Sequence, residues 1–159
     1  MSNYIIKSFT RGFEVYRENE TAPVTTFQYN GWFSSDGRAE TGNNTVEIKA
    51  KNVWASKFDV FIDGIDKGDI LFNWKGEIII RLDTEGVEKS YRLKSRGLWN
   101  MHFELEDEQE VRLLLLQPTF KWDRLNYEYE VSGEQEPPIL LILASIYSIN
   151  LYMTMMAAV

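Results

Sequence analysis

From Ile139 to Val159 the chain runs through 21 residues without one charged side chain. A helix of that length spans roughly 32 Å, enough to cross the hydrocarbon of a bilayer. A helix that is apolar on every side must be surrounded, either by lipid or by protein. How this segment is covered therefore decides what the preceding residues must build.

Those residues read as β-structure. Val46, Ile48 and Ala50 alternate with Glu47, Lys49 and Lys51, and Phe58, Val60 and Ile62 alternate with Asp59 and Asp63. Ile78, Ile80 and Leu82 oppose Glu77 and Arg81, with Ile79 breaking the pattern. Trp99, Met101, Phe103 and Leu105 share one face, as do Leu125, Tyr127, Tyr129 and Val131. A period of two with one polar face is the signature of antiparallel sheet. Asn30-Gly31, Asp36-Gly37, Asp63-Gly64, Lys67-Gly68, Glu85-Gly86 and similar pairs punctuate the runs as turns.

The spacing predicts about twelve strands, near 4–9, 12–17, 24–33, 45–51, 53–62, 69–74, 77–82, 87–94, 98–105, 109–116, 119–123 and 125–131. Ser34 to Asn44, rich in Ser, Gly, Asp and Asn, reads as a loop. Pro137-Pro138 marks the entry to a helix over about 138–158, with Glu134 and Glu136 upstream at the positive end of its dipole. No repeat or linker divides the 159 residues, so one domain is expected.

Two placements of the helix are open. As a tail anchor it would carry an acidic flank, Glu128, Glu130, Glu134 and Glu136, where Lys or Arg is usual. It would also set Tyr147, Ser148, Asn150 and Tyr152 in hydrocarbon. As a plug it would solve a second problem, because a barrel of about twelve strands is too wide for its own side chains to fill. The expectation is a mainly β protein: a closed antiparallel barrel with the C-terminal helix threaded through its centre.

The order of elements, the hairpin entered through Phe58-Asp59-Val60-Phe61-Ile62-Asp63-Gly64 and the acidic stretch before the helix resemble the tubby-like C-terminal fold. The likeness is closer to the branch of LURP-one-related proteins and phospholipid scramblases. It implies a helix inside a closed barrel, and a non-enzymatic domain that binds lipid or another small ligand near membranes. The chain departs from that family where scramblases carry an Asp-rich calcium segment, for it has Gly133-Glu134-Gln135-Glu136 there. It also lacks the Lys/Arg pocket by which tubby proteins hold phosphoinositides, and it has no cysteine to carry palmitate.

Charge narrows the partners. Acids outnumber Lys and Arg by 24 to 17, which argues against a nucleic-acid partner. The absence of cysteine and of a signal-like N-terminus fits a cytoplasmic protein, expected to be monomeric and to touch membranes without spanning them. No cofactor, metal site or catalytic set is expected. His102 should face outward beside Glu104, with no nucleophile-elbow motif elsewhere to complete a triad. Asp59, Asp63, Asp66 and Asp69 surround a turn and could ligate Ca²⁺, but solvated hairpin acids are favoured. Glu104, Glu106, Asp107, Glu108 and Glu110 could supply paired carboxylates to a glycoside hydrolase, but a charged hairpin tip is favoured. Trp54, Trp74, Trp99 and Trp122 are expected as core fillers between helix and wall rather than as a ligand groove.

Overall fold

A computed structural model of the chain describes residues 2–31, 34–51, 56–73, 76–97, 99–123 and 125–157. Twelve strands precede one helix: β1 (Ser2–Phe9), β2 (Gly12–Arg17), β3 (Thr25–Tyr29), β4 (Gly37–Thr41), β5 (Asn44–Ala50) and β6 (Lys57–Ile62). There follow β7 (Ile65–Phe72), β8 (Ile78–Asp83), β9 (Glu88–Arg96), β10 (His102–Glu106), β11 (Arg112–Lys121), β12 (Asn126–Gly133) and α1 (Ile139–Ala157). Each strand pairs antiparallel with its neighbours in sequence, and β1 pairs with β12 in the register Tyr4↔Val131. The sheet is thus a closed up-and-down barrel with no free edge.

Alternation sets which side chains face inward. Ile6, Phe13, Val15, Phe27, Ile48 and Val60 on the first half of the wall are fully buried, as are Ile70, Ile80, Leu105, Leu116 and Tyr129 on the second. The helix is their common partner. Leu140 through Ile149, ten residues in succession, are all buried. Ten residues complete about 2.8 helical turns and point in every direction. Cover on every side requires a surrounding wall, and the barrel supplies it. Asn150 to Met153 are half-buried, and Thr154, Met155 and Met156 stand exposed beyond the wall. The segment long and apolar enough to cross a membrane is therefore the core helix of this barrel.

The expected strand count is met, but two of its strands differ. The stretch read as a loop from Ser34 to Asn44 contains β4, paired with both β3 and β5. Its weak apolar signal has a packing cause. A Cβ at Gly37 would lie 2.4 Å from the Phe27 ring, so that ring occupies the space a side chain would take. Gly37 is a close-approach residue and not the second half of a turn. In the other direction, 109–116 and 119–123 are a single strand, β11, which continues through Pro118. Proline donates no ladder hydrogen bond, and it falls where β10 has ended. Gln117 Nε2 donates to the Met101 carbonyl there at 3.1 Å.

Lys67-Gly68 is likewise no turn. Asp63 and Gly64, at φ 52° and 80°, make the hairpin, whereas Gly68 lies within β7 beside a register shift. Its φ of 152° and the Arg81 carbonyl 1.9 Å from a would-be Cβ admit only glycine. Leu125, expected on the inner face with Tyr127, is a positive-φ residue in the β11–β12 connection and is 70% exposed.

Candidate functional site

Connections alternate between the two ends of an up-and-down barrel. Those of β1–β2, β3–β4 and β11–β12 emerge at the end where the C-terminal half of α1 also emerges. There they enclose a cavity of about 680 Å³, lined among others by Thr10, Arg11, Tyr29, Tyr127, Tyr147 and Asn150.

Each wall of this mouth is fixed by local packing. Phe27 and Tyr29 both point inward from β3. The Phe27 ring stacks on Phe13 at 5.1 Å and meets Tyr147 edge-on at 5.7 Å. Phe58 meets the same tyrosine at 5.8 Å from the far side. Held in this aromatic box, Tyr147 donates its hydroxyl to the Ser35 carbonyl at 2.9 Å, which ties Ser35 in the β3–β4 connection to the mouth. That connection is further braced by Asp36, whose Oδ1 accepts from the Ala50 amide at 2.8 Å.

One turn further along the helix, Asn150 meets the wall at β12. Its Oδ1 accepts from the Tyr129 hydroxyl. Burial pushes the Tyr29 hydroxyl up to about 12, with the Asn150 carboxamide acting in the opposite direction. Burial raises Tyr129 and Tyr147 as well. Tyr29 and Tyr147, which line the mouth, are neutral phenols at physiological pH, so the mouth offers aromatic faces, neutral hydroxyls and a carboxamide. Arg11 adds cationic character at the rim, and Leu151 and Met153 add apolar surface. A concave, mostly apolar site with a few placed polar groups suits a small ligand.

The residues singled out by sequence lie elsewhere. His102 is on the outer wall, as expected, with Nε2 3.4 Å from Glu104 Oε1 and Nδ1 3.3 Å from the Asn100 carbonyl. Glu104 and Glu106 are its neighbours on the same outer face. Glu106 lies 3.0 Å from Lys94 and 3.7 Å from Arg96, and Glu104 lies 3.8 Å from both Arg96 and Arg112. They form a lattice of ion pairs across β9, β10 and β11. Asp107 accepts from the Gln109 and Val111 amides at 2.9 Å and so shapes its turn. Glu108 accepts from the Ser90 amide at 3.0 Å, and Glu110 takes a positive φ in the same turn.

The four aspartates do separate tasks. Asp69 takes a paired hydrogen bond from Arg81, at 2.7 and 2.6 Å, with Lys57 at 3.3 Å. Asp63 accepts from the Thr45 amide at 2.8 Å and Asp66 from the Gly68 amide at 3.1 Å. Asp59 stands across from Asp69 in the β6–β7 register. Among the described residues no three acidic or histidine side chains converge on a metal-sized point.

The tryptophan expectation is corrected. Trp99 is 100% exposed and Trp122 80%, so neither fills the core; Trp54 and Trp74 lie outside the described residues. The interior is filled instead by α1 and by Ile, Val, Leu, Phe and Tyr side chains of the wall. The mouth residues were legible only in part. Tyr147, Asn150 and Thr154, at i, i+3 and i+7, draw one polar stripe along an apolar helix. Tyr29 and Arg11 carry no such local signal.

Comparison with protein-family models, with curated proteins and with solved structures gave no match.

Proposed function

We propose that this chain is a non-enzymatic binding protein of the tubby-like kind, on the LURP-one-related and scramblase-like branch, and that its barrel mouth holds a lipid or similar small amphiphile. The twelve-stranded wall around a C-terminal helix supports the likeness. The single observation that carries the reading is the cavity of about 680 Å³ at the mouth. Of its tyrosines, Tyr147 is already hydrogen-bonded to the Ser35 carbonyl, an arrangement suited to recognition. Its apolar side, Leu151 and Met153, would take an acyl segment, while Arg11, Asn126 and the hydroxyls face a polar head. The protein is expected to be cytoplasmic and monomeric.

Dihexanoyl phosphatidylcholine, held below its micellar concentration, tests this. It should raise the Tm in a saturable way, because a ligand that binds only the folded state stabilises it by mass action. Met153→Trp, which fills the cavity from a half-buried position, should remove the rise. An unchanged Tm with this amphiphile, and with a panel of other short-chain headgroups, would retire the lipid reading.

A further inference from the structure

The two ends of the barrel differ in chemistry. Trp99, between β9 and β10, and Trp122, between β11 and β12, fall in connections at the mouth end, and both stand in solvent. Leu125, 70% exposed, shares the connection of Trp122, and Met155 and Met156 project from the helix end at 45% and 57% exposure.

Charge divides the same way. Among the described residues, the mouth-end connections hold two bases, Arg11 and Lys51, and three acids, Asp36, Glu77 and Asp123. The far-end connections, 18–24, 42–43, 63–64, 84–87, 107–111 and 134–138, hold nine acids and no Lys or Arg. The far end also exposes Val24, Ile65, Val87 and Val111. Those are aliphatic side chains set among carboxylates, not aromatics.

We propose that the tryptophan-bearing end of the barrel docks on a lipid bilayer, with Trp99, Trp122, Leu125, Met155 and Met156 entering the headgroup layer. Tryptophan is the side chain most at home there, being apolar over most of its surface with one N–H for the wet side. A single exposed apolar residue needs no explanation, but five of them on one end, two of them tryptophans, do. The charge pattern fixes the orientation. An anionic membrane repels the far end, and on any bilayer the near-neutral mouth end approaches without an electrostatic barrier. The barrel then stands end-on, and its cavity opens onto the headgroups. The docking rests on the mouth reading only for what the cavity receives.

The test uses the full chain with vesicles of phosphatidylcholine, alone and mixed with phosphatidylserine. Flotation should occur on both at physiological salt, with tryptophan emission shifted to the blue and quenched by brominated acyl chains. Trp99→Ser combined with Trp122→Ser, both at exposed positions and checked for a native circular-dichroism spectrum, should weaken partitioning by roughly tenfold or more. Val87→Ser at the far end should leave it unchanged. Absence of flotation overturns the proposal. So does flotation that the double variant retains, or flotation confined to phosphatidylserine and abolished by salt. If the double variant instead disperses a concentration-dependent dimer that never floats, the rim is a contact between two copies, and the membrane assignment is wrong. A Tm rise with dihexanoyl phosphatidylcholine but no flotation removes the docking and keeps the mouth; the converse keeps the docking and removes the mouth.

Discussion

Tyr129 of β12 donates its hydroxyl to the Oδ1 of Asn150 on α1, and so joins the strand that closes the barrel to the helix inside it. Tyr129 is fully buried. Its hydroxyl therefore has no water to fall back on, and Asn150 is the polar group that makes its burial tolerable. The carboxamide thereby sets the depth of the helix against β12.

Asn150→Ala should therefore cost about 1–3 kcal/mol, the usual penalty for leaving a buried hydroxyl without a partner. Tyr129→Phe removes the stranded hydroxyl, so the double variant should be more stable than the sum of the two single losses implies. Urea unfolding of the four proteins in a double-mutant cycle measures this coupling. Strict additivity would show that the two groups act independently.

Ser145 offers the opposite case. It is fully buried in the middle of α1, and its Oγ meets no hydrogen-bond partner among the described residues. Its neighbour Ser148 returns its own hydroxyl to the Ala144 carbonyl at 2.7 Å. Ser145→Ala should raise stability by about 1 kcal/mol, since it removes an uncompensated polar group and improves helix propensity. Ser148→Ala should change little. A lower urea midpoint for Ser145→Ala would mean that the hydroxyl has a partner, such as a buried water.

The barrel and its plug were legible because two signals of different period meet in one chain: alternation over β5, β6, β8 and β10, broken only at single residues such as Ile79, and then an uncharged helix. Strand number came out right through two departures of opposite sign. β4 presents only Ala39 as an inward apolar side chain, because the Phe27 ring lies against Gly37 and fills the space on that side. Local pattern cannot reveal a strand whose inner face is occupied by a neighbour. Pro118 divides β11 in sequence but not in space, since it sits where β10 no longer runs beside it. The tryptophans misled for a related reason. Size and apolarity suggest the core, but the core is already filled by α1, and Trp99 and Trp122 lie in connections where only chain topology shows that they share an end. The mouth was half visible as the Tyr147–Asn150–Thr154 stripe. Its other half needs the closed barrel to bring Tyr29 and Arg11 alongside.

Leu143 lies fully buried at the centre of the plug. Leu143→Asp would place a carboxylate in an interior without a cation, a cost of several kcal/mol, and should leave the chain largely unfolded at 25 °C. Removing residues 138–159 should do the same by emptying the barrel. Circular dichroism and thermal unfolding report both. A soluble truncated chain with a cooperative transition would show that the wall stands without its helix.

The tyrosines predict alkaline lability. Folding raises Tyr29 to about 12, chiefly by burial, and Tyr4 to about 12, by burial and then by its hydrogen bond to Glu136. Burial raises Tyr129 and Tyr147 in the same direction. A group whose folded value lies above its unfolded value near 10 stabilises the fold fully below that pH. The contribution is lost as pH rises through the folded value, because the unfolded chain releases its protons first. Stability should thus be flat up to about pH 9 and fall steeply between about 10 and 12. The phenolate absorbance of these tyrosines should appear together with loss of the circular-dichroism signal rather than ahead of it. Tyr29→Phe should flatten the fall. Full phenolate absorbance in a protein that keeps its native spectrum would place these hydroxyls in contact with solvent, and would remove the neutral mouth on which the ligand reading depends.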